Sequence, residues 1–180
     1  MALKSTIYKI AMQITNMDTH YYEDHSITLA SHPSENEARL MVRLLAFALN
    51  ASESLKFGNG LSDPNEADVW EKDLTGDVKL WIDMGQPDEK TILKACGKSE
   101  KVKIYSYTRS PNLWWDPIST KLTRAKNLTV YAVNADSVDA LAHLVDRSMN
   151  LLFSIQDGEI WVRDEKENSV HVIVDVLYGE

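Results

Sequence analysis

Two aspartates beside two tryptophans are the residues of this sequence most suited to chemistry. Asp68 precedes Trp70 and Asp83 follows Trp81, in two runs of alternating pattern that flank the turn sequence Leu74-Thr-Gly-Asp. Residues two apart share one face of a strand, so a β-hairpin would bring both carboxylates and both indoles together. This arrangement is typical of a carboxylate site, although the residue types do not name its reaction. In the alternative interpretation both aspartates are solvated acids at strand ends.

Two predicted helices lie on either side of this hairpin in the sequence. The first begins with Ser34 as N-cap and Glu37 completing a capping box, and its apolar stripe extends to about Asn50. The second is initiated by Pro87 and Asp88 and extends to about Lys98. Both helices are therefore candidates to contribute side chains to the carboxylate site.

Glu35 is the acidic residue of the first helix that could join such a site. It lies four residues before Arg39 and eight before Arg43, so the three side chains are expected to share one helix face. The structural interpretation is an exposed ladder of ion pairs. The functional interpretation turns Glu35 toward the carboxylates of the hairpin.

The remaining segments define the fold class. Residues 5–31 predict an N-terminal hairpin, and Asp157-Gly158 between two β-rich runs predicts another near the C terminus. Strands alternate with a helix-like segment interrupted at Pro117 and with a helix from Ser137 to Met149. We therefore predict one α/β (α+β) domain over residues 1–180, with a mixed β-sheet, flanking helices and terminal hairpins.

Composition limits the classes of partner. No apolar run is long enough to span a bilayer and no export signal is present, so no membrane association and a cytoplasmic location are expected. A net charge of −8 argues against a protein whose main task is to bind duplex nucleic acid. A local basic patch could still contact nucleic acid, the alternative being an ordinary solvated face. Its members would be Lys90, Lys94, Lys98, Lys101, Lys103 and Arg109, together with Lys121, Arg124 and Lys126 further along the chain.

Other kinds of catalytic site are poorly supported by the sequence. The single Cys96 excludes an internal disulfide and a multi-cysteine zinc site, and it lies among apolar helix positions where an inert thiol is expected. The glycines of the segment Phe57-Gly-Asn-Gly are not followed by the Lys and Ser/Thr of a phosphate-binding loop. No nucleophile elbow is present.

Four segments carry a resemblance to a known family. They are Met1-Ala-Leu-Lys-Ser-Thr-Ile-Tyr-Lys, His32-Pro-Ser-Glu-Asn-Glu with the two arginines that follow, Leu80-Trp-Ile-Asp-Met-Gly-Gln-Pro-Asp-Glu, and Ile155-Gln-Asp-Gly-Glu-Ile-Trp. Together they resemble the bacterial YaeQ family over essentially the whole chain. The resemblance implies a fold similar to that of the PD-(D/E)XK nucleases, which include type II restriction endonucleases.

The same resemblance implies a set of site residues. In the nuclease pattern two acids on neighbouring strands, and a lysine two residues after the second, surround a divalent metal, often with a glutamate from the preceding helix. Here Glu35, Asp68 and Asp83 would be the metal ligands and Mg²⁺ the cofactor. The lysine position is Gly85, which departs from the pattern, so Lys94 on the following helix is expected to join Asp68 and Asp83 as the catalytic amine.

Two functions from different classes follow from this pattern. The first is a metal-dependent, nuclease-like enzyme acting on phosphodiesters. The second is a noncatalytic binding or adaptor protein that keeps a degenerate PD-(D/E)XK fold and uses Trp114 or Trp115 as a contact surface.

Overall fold

The computed structural model of the chain describes residues 4–179, which form eleven β-strands and four α-helices. The strands are β1 (Thr6–Asn16), β2 (Tyr21–Ser31), β3 (Leu55–Phe57), β4 (Val69–Lys72), β5 (Val78–Met84), β6 (Ser99–Ser106), β7 (Leu128–Val133), β8 (Ser148–Gln156), β9 (Glu159–Asp164), β10 (Ser169–Val172) and β11 (Val174–Tyr178). The helices are α1 (Glu37–Leu49), α2 (Glu89–Lys98), α3 (Pro111–Ser119) and α4 (Ala135–Ala142). Among residues 4–179, no helix has the length and apolar composition needed to cross a membrane.

These elements form two compact units, and each unit is built from two separate segments of the chain. Unit 1 contains residues 1–52 and 136–173, and unit 2 contains residues 53–135 and 174–180. Each unit holds one mixed β-sheet, so the predicted α/β class with mixed sheet and flanking helices is confirmed, with two sheets instead of one. The assignment of residues 1–180 to a single domain stays a prediction.

Unit 1 is built on a five-stranded sheet in the order β10, β9, β8, β1, β2. Only β1 and β8 are parallel, and the other neighbours are antiparallel. The predicted N-terminal hairpin is β1 and β2, and the predicted C-terminal hairpin is β8 and β9. In its turn Asp157 and Gly158 both have positive φ, at 53° and 76°, which is the backbone that an Asp-Gly turn favours.

Helix α1 in unit 1 begins later than its sequence predicts. Its N-cap is Asn36, whose side chain accepts a hydrogen bond from the backbone N–H of Arg39 at 2.8 Å. The predicted cap at Ser34 is wrong, because the Ser34 hydroxyl is hydrogen-bonded to the ring of His32 instead. Glu37 is consequently the first residue of the helix and not its third.

Unit 2 is built on a six-stranded sheet in the order β11, β7, β6, β5, β4, β3. The central pairs β5/β6 and β6/β7 are parallel, and α2 connects β5 to β6. The N-cap of α2 is Asp88, as predicted, and its carboxylate accepts a hydrogen bond from the backbone N–H of Thr91. On its inner side α2 buries Ile92 and Ala95 in a core that also contains Trp81 of β5. This core faces the strand that carries Asp83.

Three element boundaries differ from prediction. Helix α3 continues through Pro117 to Ser119, where a 3-10 turn follows, so the proline lies near the C-terminal end and does not stop the helix. Helix α4 ends at Ala142, and the residues predicted to complete it lead into β8. The last predicted strand divides near Ile173 into β10 and β11, which belong to different sheets.

Candidate functional site

The pairing of β4 with β5 brings the two aspartates together. The strands are antiparallel, with Val69 opposite Ile82 and Trp70 opposite Trp81. One position beyond this pairing, Asp68 and Asp83 meet, and the Asp68 backbone N–H donates a hydrogen bond to Asp83 Oδ1 at 3.2 Å. The two carboxylates therefore lie beside each other, as the alternating pattern predicts. They are not the separate, solvated acids of the alternative interpretation, since Asp68 is buried and Asp83 is half-buried.

Backbone and indole N–H groups hold both carboxylates in place. Trp81 Nε1 donates to Asp83 Oδ2 at 2.8 Å, and the backbone N–H of Met84 donates to Asp68 Oδ2 at 3.2 Å. Trp70 packs edge-on against Trp81, with 5.7 Å between ring centroids. The indoles thus form one wall of the site, and Trp81 is the residue that fixes the orientation of Asp83.

The contact between the carboxylates changes the ionisation of Asp83. Burial, followed by the neighbouring charge of Asp68, raises the pKa of Asp83 from 3.8 to about 6. The hydrogen bonds from Trp81 and from the Asp68 backbone favour the charged form and partly oppose this rise, whereas a hydrogen bond between the two carboxyl groups adds to it. Below about pH 6 a proton on Asp83, hydrogen-bonded to Asp68, relieves the repulsion between the two carboxyl groups.

A glycine loop closes over the Asp68 side of the pair. The backbone N–H of Gly58 donates to the Asp68 carbonyl at 2.9 Å. A Cβ atom on Gly60 would lie 2.6 Å from Asp68 Oδ1 and 2.9 Å from its backbone nitrogen. Only a residue without a side chain allows the loop to approach the carboxylate this closely.

Gly85 occupies the position at which the nuclease pattern has a lysine, and its backbone conformation restricts which residue can stand there. Gly85 has φ of +98°, and its N–H donates to the carbonyl of Tyr105 at 2.9 Å. A residue with a side chain is strained in this conformation. The departure from the nuclease pattern at residue 85 is therefore built into the turn that follows β5.

Two lysines of α2 differ in their relation to the carboxylates. Lys94, the predicted amine, is exposed on α2. Lys98 lies one turn further along, with Nζ 4.3 Å from the centroid of the Trp81 ring. Burial and the ammonium of Lys94 lower the pKa of Lys98, while the carboxylates of Asp83 and Asp63 oppose that change. Lys98 is thus the lysine whose charge interacts with the pair, and the assignment of Lys94 stays a prediction.

Glu35 lies in unit 1, just before α1, in a buried ionic cluster. Its Oε1 accepts hydrogen bonds from Ser31 Oγ and Arg43 Nη2, both at 2.8 Å, and its Oε2 accepts one from Arg39 Nη1 at 2.7 Å. The Glu35 side chain is 0% exposed, so the predicted exposed ladder is wrong. Both of its oxygens are occupied by guanidinium groups, and its role as a metal ligand stays a prediction.

The carboxylate pair offers fewer protein ligands than the predicted three. Within residues 4–179, no group of three or more His, Cys, Asp or Glu side chains is arranged to hold a metal ion. Mg²⁺ is nevertheless commonly held by one or two carboxylates, with water and substrate phosphates completing its six ligands. Asp68 and Asp83 match that donor set.

Two other predictions concern single residues of unit 2. Burial raises the pKa of the half-buried Cys96 thiol to about 11, which agrees with an inert thiol. Trp115 is buried in the core, whereas Trp114 is half-buried and donates from Nε1 to the Pro87 carbonyl at 2.9 Å. A contact surface at either tryptophan stays a prediction.

Sequence reasoning missed Gly60 and Lys98 as parts of the site. The glycines of the loop lack the Lys and Ser/Thr that follow a phosphate-binding loop, and nothing in their spacing indicates a close approach to Asp68. Lys98 shares its helix face with Lys90 and Lys94. Spacing alone does not choose among the three lysines, because the choice depends on which one reaches Trp81.

Replacing Asp83 should remove a pH dependence of stability. The unfolded chain loses the Asp83 proton near pH 3.8 and the folded chain near pH 6, so stability from this group is present below pH 3.8 and lost as pH rises to 6. Denaturant unfolding in EDTA should show Asp83→Asn gaining about 2 to 3 kcal/mol relative to wild type between pH 4 and 7. The exposed Asp116→Asn is the matched control. A difference that does not change with pH would contradict the shared proton.

A methyl group on Gly60 should disturb the pair. We expect Gly60→Ala to lower the free energy of unfolding by about 1 to 3 kcal/mol, because the new Cβ meets Asp68 at two atoms. Gly97→Ala is the control, since it adds a Cβ to α2 in open space and should stabilise the helix by up to about 1 kcal/mol. Chemical denaturation measures the free energy of unfolding of both variants. If Gly60→Ala changes it no more than Gly97→Ala does, the loop accommodates the new methyl group without strain.

Comparison with known proteins identifies the family. The family model described as YaeQ protein matches residues 1–173. YaeQ of Escherichia coli (strain K12) is 38% identical over 169 residues, which cover 93% of this chain and 93% of that protein. The crystal structure of YaeQ from Xanthomonas axonopodis pv. citri is 42% identical and superposes with a TM-score of 0.92 over 98% of this chain and 99% of its own. YaeQ from Pseudomonas syringae is 35% identical, with a TM-score of 0.93 over 98% and 97% of the two chains. From the family model and these full-length relatives, the chain belongs to the YaeQ family.

Proposed function

We propose that this protein is a Mg²⁺-dependent phosphodiesterase of the nuclease-like type, with Asp68 and Asp83 as its metal ligands. The observation that carries the proposal is the direct contact of two carboxylates, one buried and one half-buried, on neighbouring strands. Such a contact costs free energy unless a proton or a cation lies between the groups. A divalent cation is the occupant that turns this arrangement into a catalytic site.

The arrangement of strands supports the proposal. An acid before β4 and an acid on β5 meet in antiparallel strands, and β5 then runs through α2 to the parallel strand β6. This order agrees with the acid-on-each-of-two-strands pattern that the PD-(D/E)XK resemblance implies. A bound Mg²⁺ would supply Lewis-acid polarisation of a phosphodiester and a bound water of lowered pKa.

Lys98 is the amine that we assign to this site. Its Nζ lies over the Trp81 ring, and Trp81 is hydrogen-bonded to Asp83. Desolvation and the ammonium of Lys94 lower the pKa of Lys98, while the carboxylates of Asp83 and Asp63 oppose that change. In its charged form Lys98 would stabilise negative charge that develops on a phosphate. Lys98 thus takes the role that the resemblance gives to a lysine at residue 85.

A noncatalytic adaptor is the second candidate, and two observations favour it. Gly85 has a backbone conformation that a lysine would adopt only with strain, and the chain carries a net charge of −8. A protein that had lost catalysis could keep the carboxylate pair in its protonated form. Metal binding and hydrolysis separate the two candidates.

Metal binding can be followed through Trp81. Because its indole N–H is hydrogen-bonded to Asp83, Mg²⁺ or Mn²⁺ should change tryptophan fluorescence in a saturable way, and Asp83→Asn should abolish that change. The exposed Asp116→Asn should behave as wild type. No saturable change up to about 20 mM metal would remove the enzyme proposal and favour the adaptor.

Hydrolysis tests the lysine assignment. With Mn²⁺ or Mg²⁺ and labelled oligonucleotides, Lys98→Met should lower the cleavage rate about 100-fold or more, as expected for loss of a proton-transfer group. Lys94→Met, on the same helix and one turn earlier, should retain activity within about threefold, since Lys94 is exposed and solvent screens its charge. The reverse result would return the catalytic role to Lys94.

A further inference from the structure

An open cavity of about 490 Å³ lies in unit 2 beside β3 and β4, at the turn end of the β4 and β5 hairpin. Its lining includes Trp70 and two lysines, Lys56 and Lys72, together with Leu74. Its volume is within the range of small-ligand sites in proteins. Nothing derived above for the carboxylate pair uses these lysines.

Trp70, the aromatic residue of the cavity lining, is connected to the carboxylate pair through Trp81. Trp70 packs against Trp81 at 5.7 Å, and Trp81 is hydrogen-bonded to Asp83. Trp70 therefore contacts both the cavity and the indole that orients Asp83.

The cavity combines a π-surface with cations. Lys72 Nζ lies 3.9 Å from the centroid of the Trp70 ring, and both Lys56 and Lys72 are exposed at its rim. Leu74 at the hairpin tip is fully exposed and adds an apolar edge. An aromatic ring beside ammonium groups is the combination that binds a planar base next to a phosphate.

Two acids also line the cavity, and they limit its affinity for anions. Asp73 is engaged in the turn, where it accepts hydrogen bonds from the backbone N–H groups of Thr75 and Asp77 and from the Thr75 hydroxyl. Its charge is thus partly satisfied within the turn. Glu53 also lines the cavity and is exposed. We expect binding in the micromolar range that is typical of weak nonspecific nucleic-acid contacts.

We propose that this cavity binds single-stranded nucleic acid: the Lys72 ammonium leaves the Trp70 ring for a phosphate, an unpaired base stacks on the ring in its place, and Lys56 holds a second phosphate. The inference rests on the proposed phosphodiesterase for the class of ligand. A base within a duplex is stacked and paired, so its face cannot reach the indole, whereas every unpaired base presents one. The cavity therefore assigns single strands, and not duplexes, as the substrate class.

The test is a binding measurement without metal, which separates it from the test of catalysis. Fluorescence anisotropy of a labelled oligothymidylate of about 12 nucleotides, in EDTA and low salt, should show saturable binding to the full chain. The double substitution of Lys56→Gln and Lys72→Gln should weaken binding at least fivefold and reduce the slope of log affinity against log salt by about 1.4, the value for two phosphates on a single strand. Trp70→Leu should weaken binding by about fivefold or more through lost stacking.

Controls make the outcome decisive. Lys9→Gln removes an exposed lysine of unit 1 that belongs neither to the predicted basic patch nor to the cavity lining, and it should change affinity less than about twofold. The lysine variants alter exposed side chains only, so circular dichroism should confirm that they fold. The proposal is overturned if wild type does not bind at about 100 μM protein, if the double lysine variant binds as wild type does, or if a duplex of equal length binds as tightly. Binding without hydrolysis in Mn²⁺ would remove the proposed enzyme but keep this site.

Discussion

Two carboxylates in contact in a mostly buried position repel each other unless a proton or a cation lies between them. In this protein Asp68 and Asp83 meet in that way at the end of the β4 and β5 pairing. Around them, the structure supplies N–H donors from Met84 and from the Trp81 indole, which keep the oxygens in place. The fold thus keeps the two carboxylates together, although they repel each other when both are charged.

The surroundings of the pair can be understood as consequences of this contact. Gly60 brings the loop so close to Asp68 that no side chain would fit, which limits access of water from that side. Lys98 places an ammonium over Trp81, where its charge interacts with that of Asp83. Such an arrangement costs stability, and proteins commonly retain costs of this kind at functional sites. Trp81 orients Asp83, and Trp70, which packs against Trp81, lines the cavity together with Lys72. The pair and the cavity therefore share two packed indoles.

Local patterns predicted the centre of the site well. Strand alternation placed Asp68 and Asp83 on one face with their tryptophans, because the period of two is fixed by strand geometry. The cap of α2 at Asp88 followed from equally local rules. The start of α1 did not, because Ser34, Glu35 and Asn36 lie close together and the choice of cap depends on tertiary partners.

Local sequence patterns could not predict the features that depend on contacts between distant parts of the chain. The last strand region alternates continuously in sequence, and only pairing with distant strands divides it between two sheets. The spacing of Glu35, Arg39 and Arg43 predicts that they meet, but burial of their cluster depends on the packing of unit 1. Lys94 and Lys98 share one helix face, so only the contact with Trp81 distinguishes them.

The most direct test of the central claim is calorimetric titration of Mg²⁺ near pH 6 in buffers with different ionisation enthalpies. If the cation replaces the proton shared by Asp68 and Asp83, the observed heat will depend on the buffer, protons will be released on binding, and Asp83→Asn will show neither. Absence of binding, or binding that releases no proton and persists in Asp83→Asn, would contradict the account.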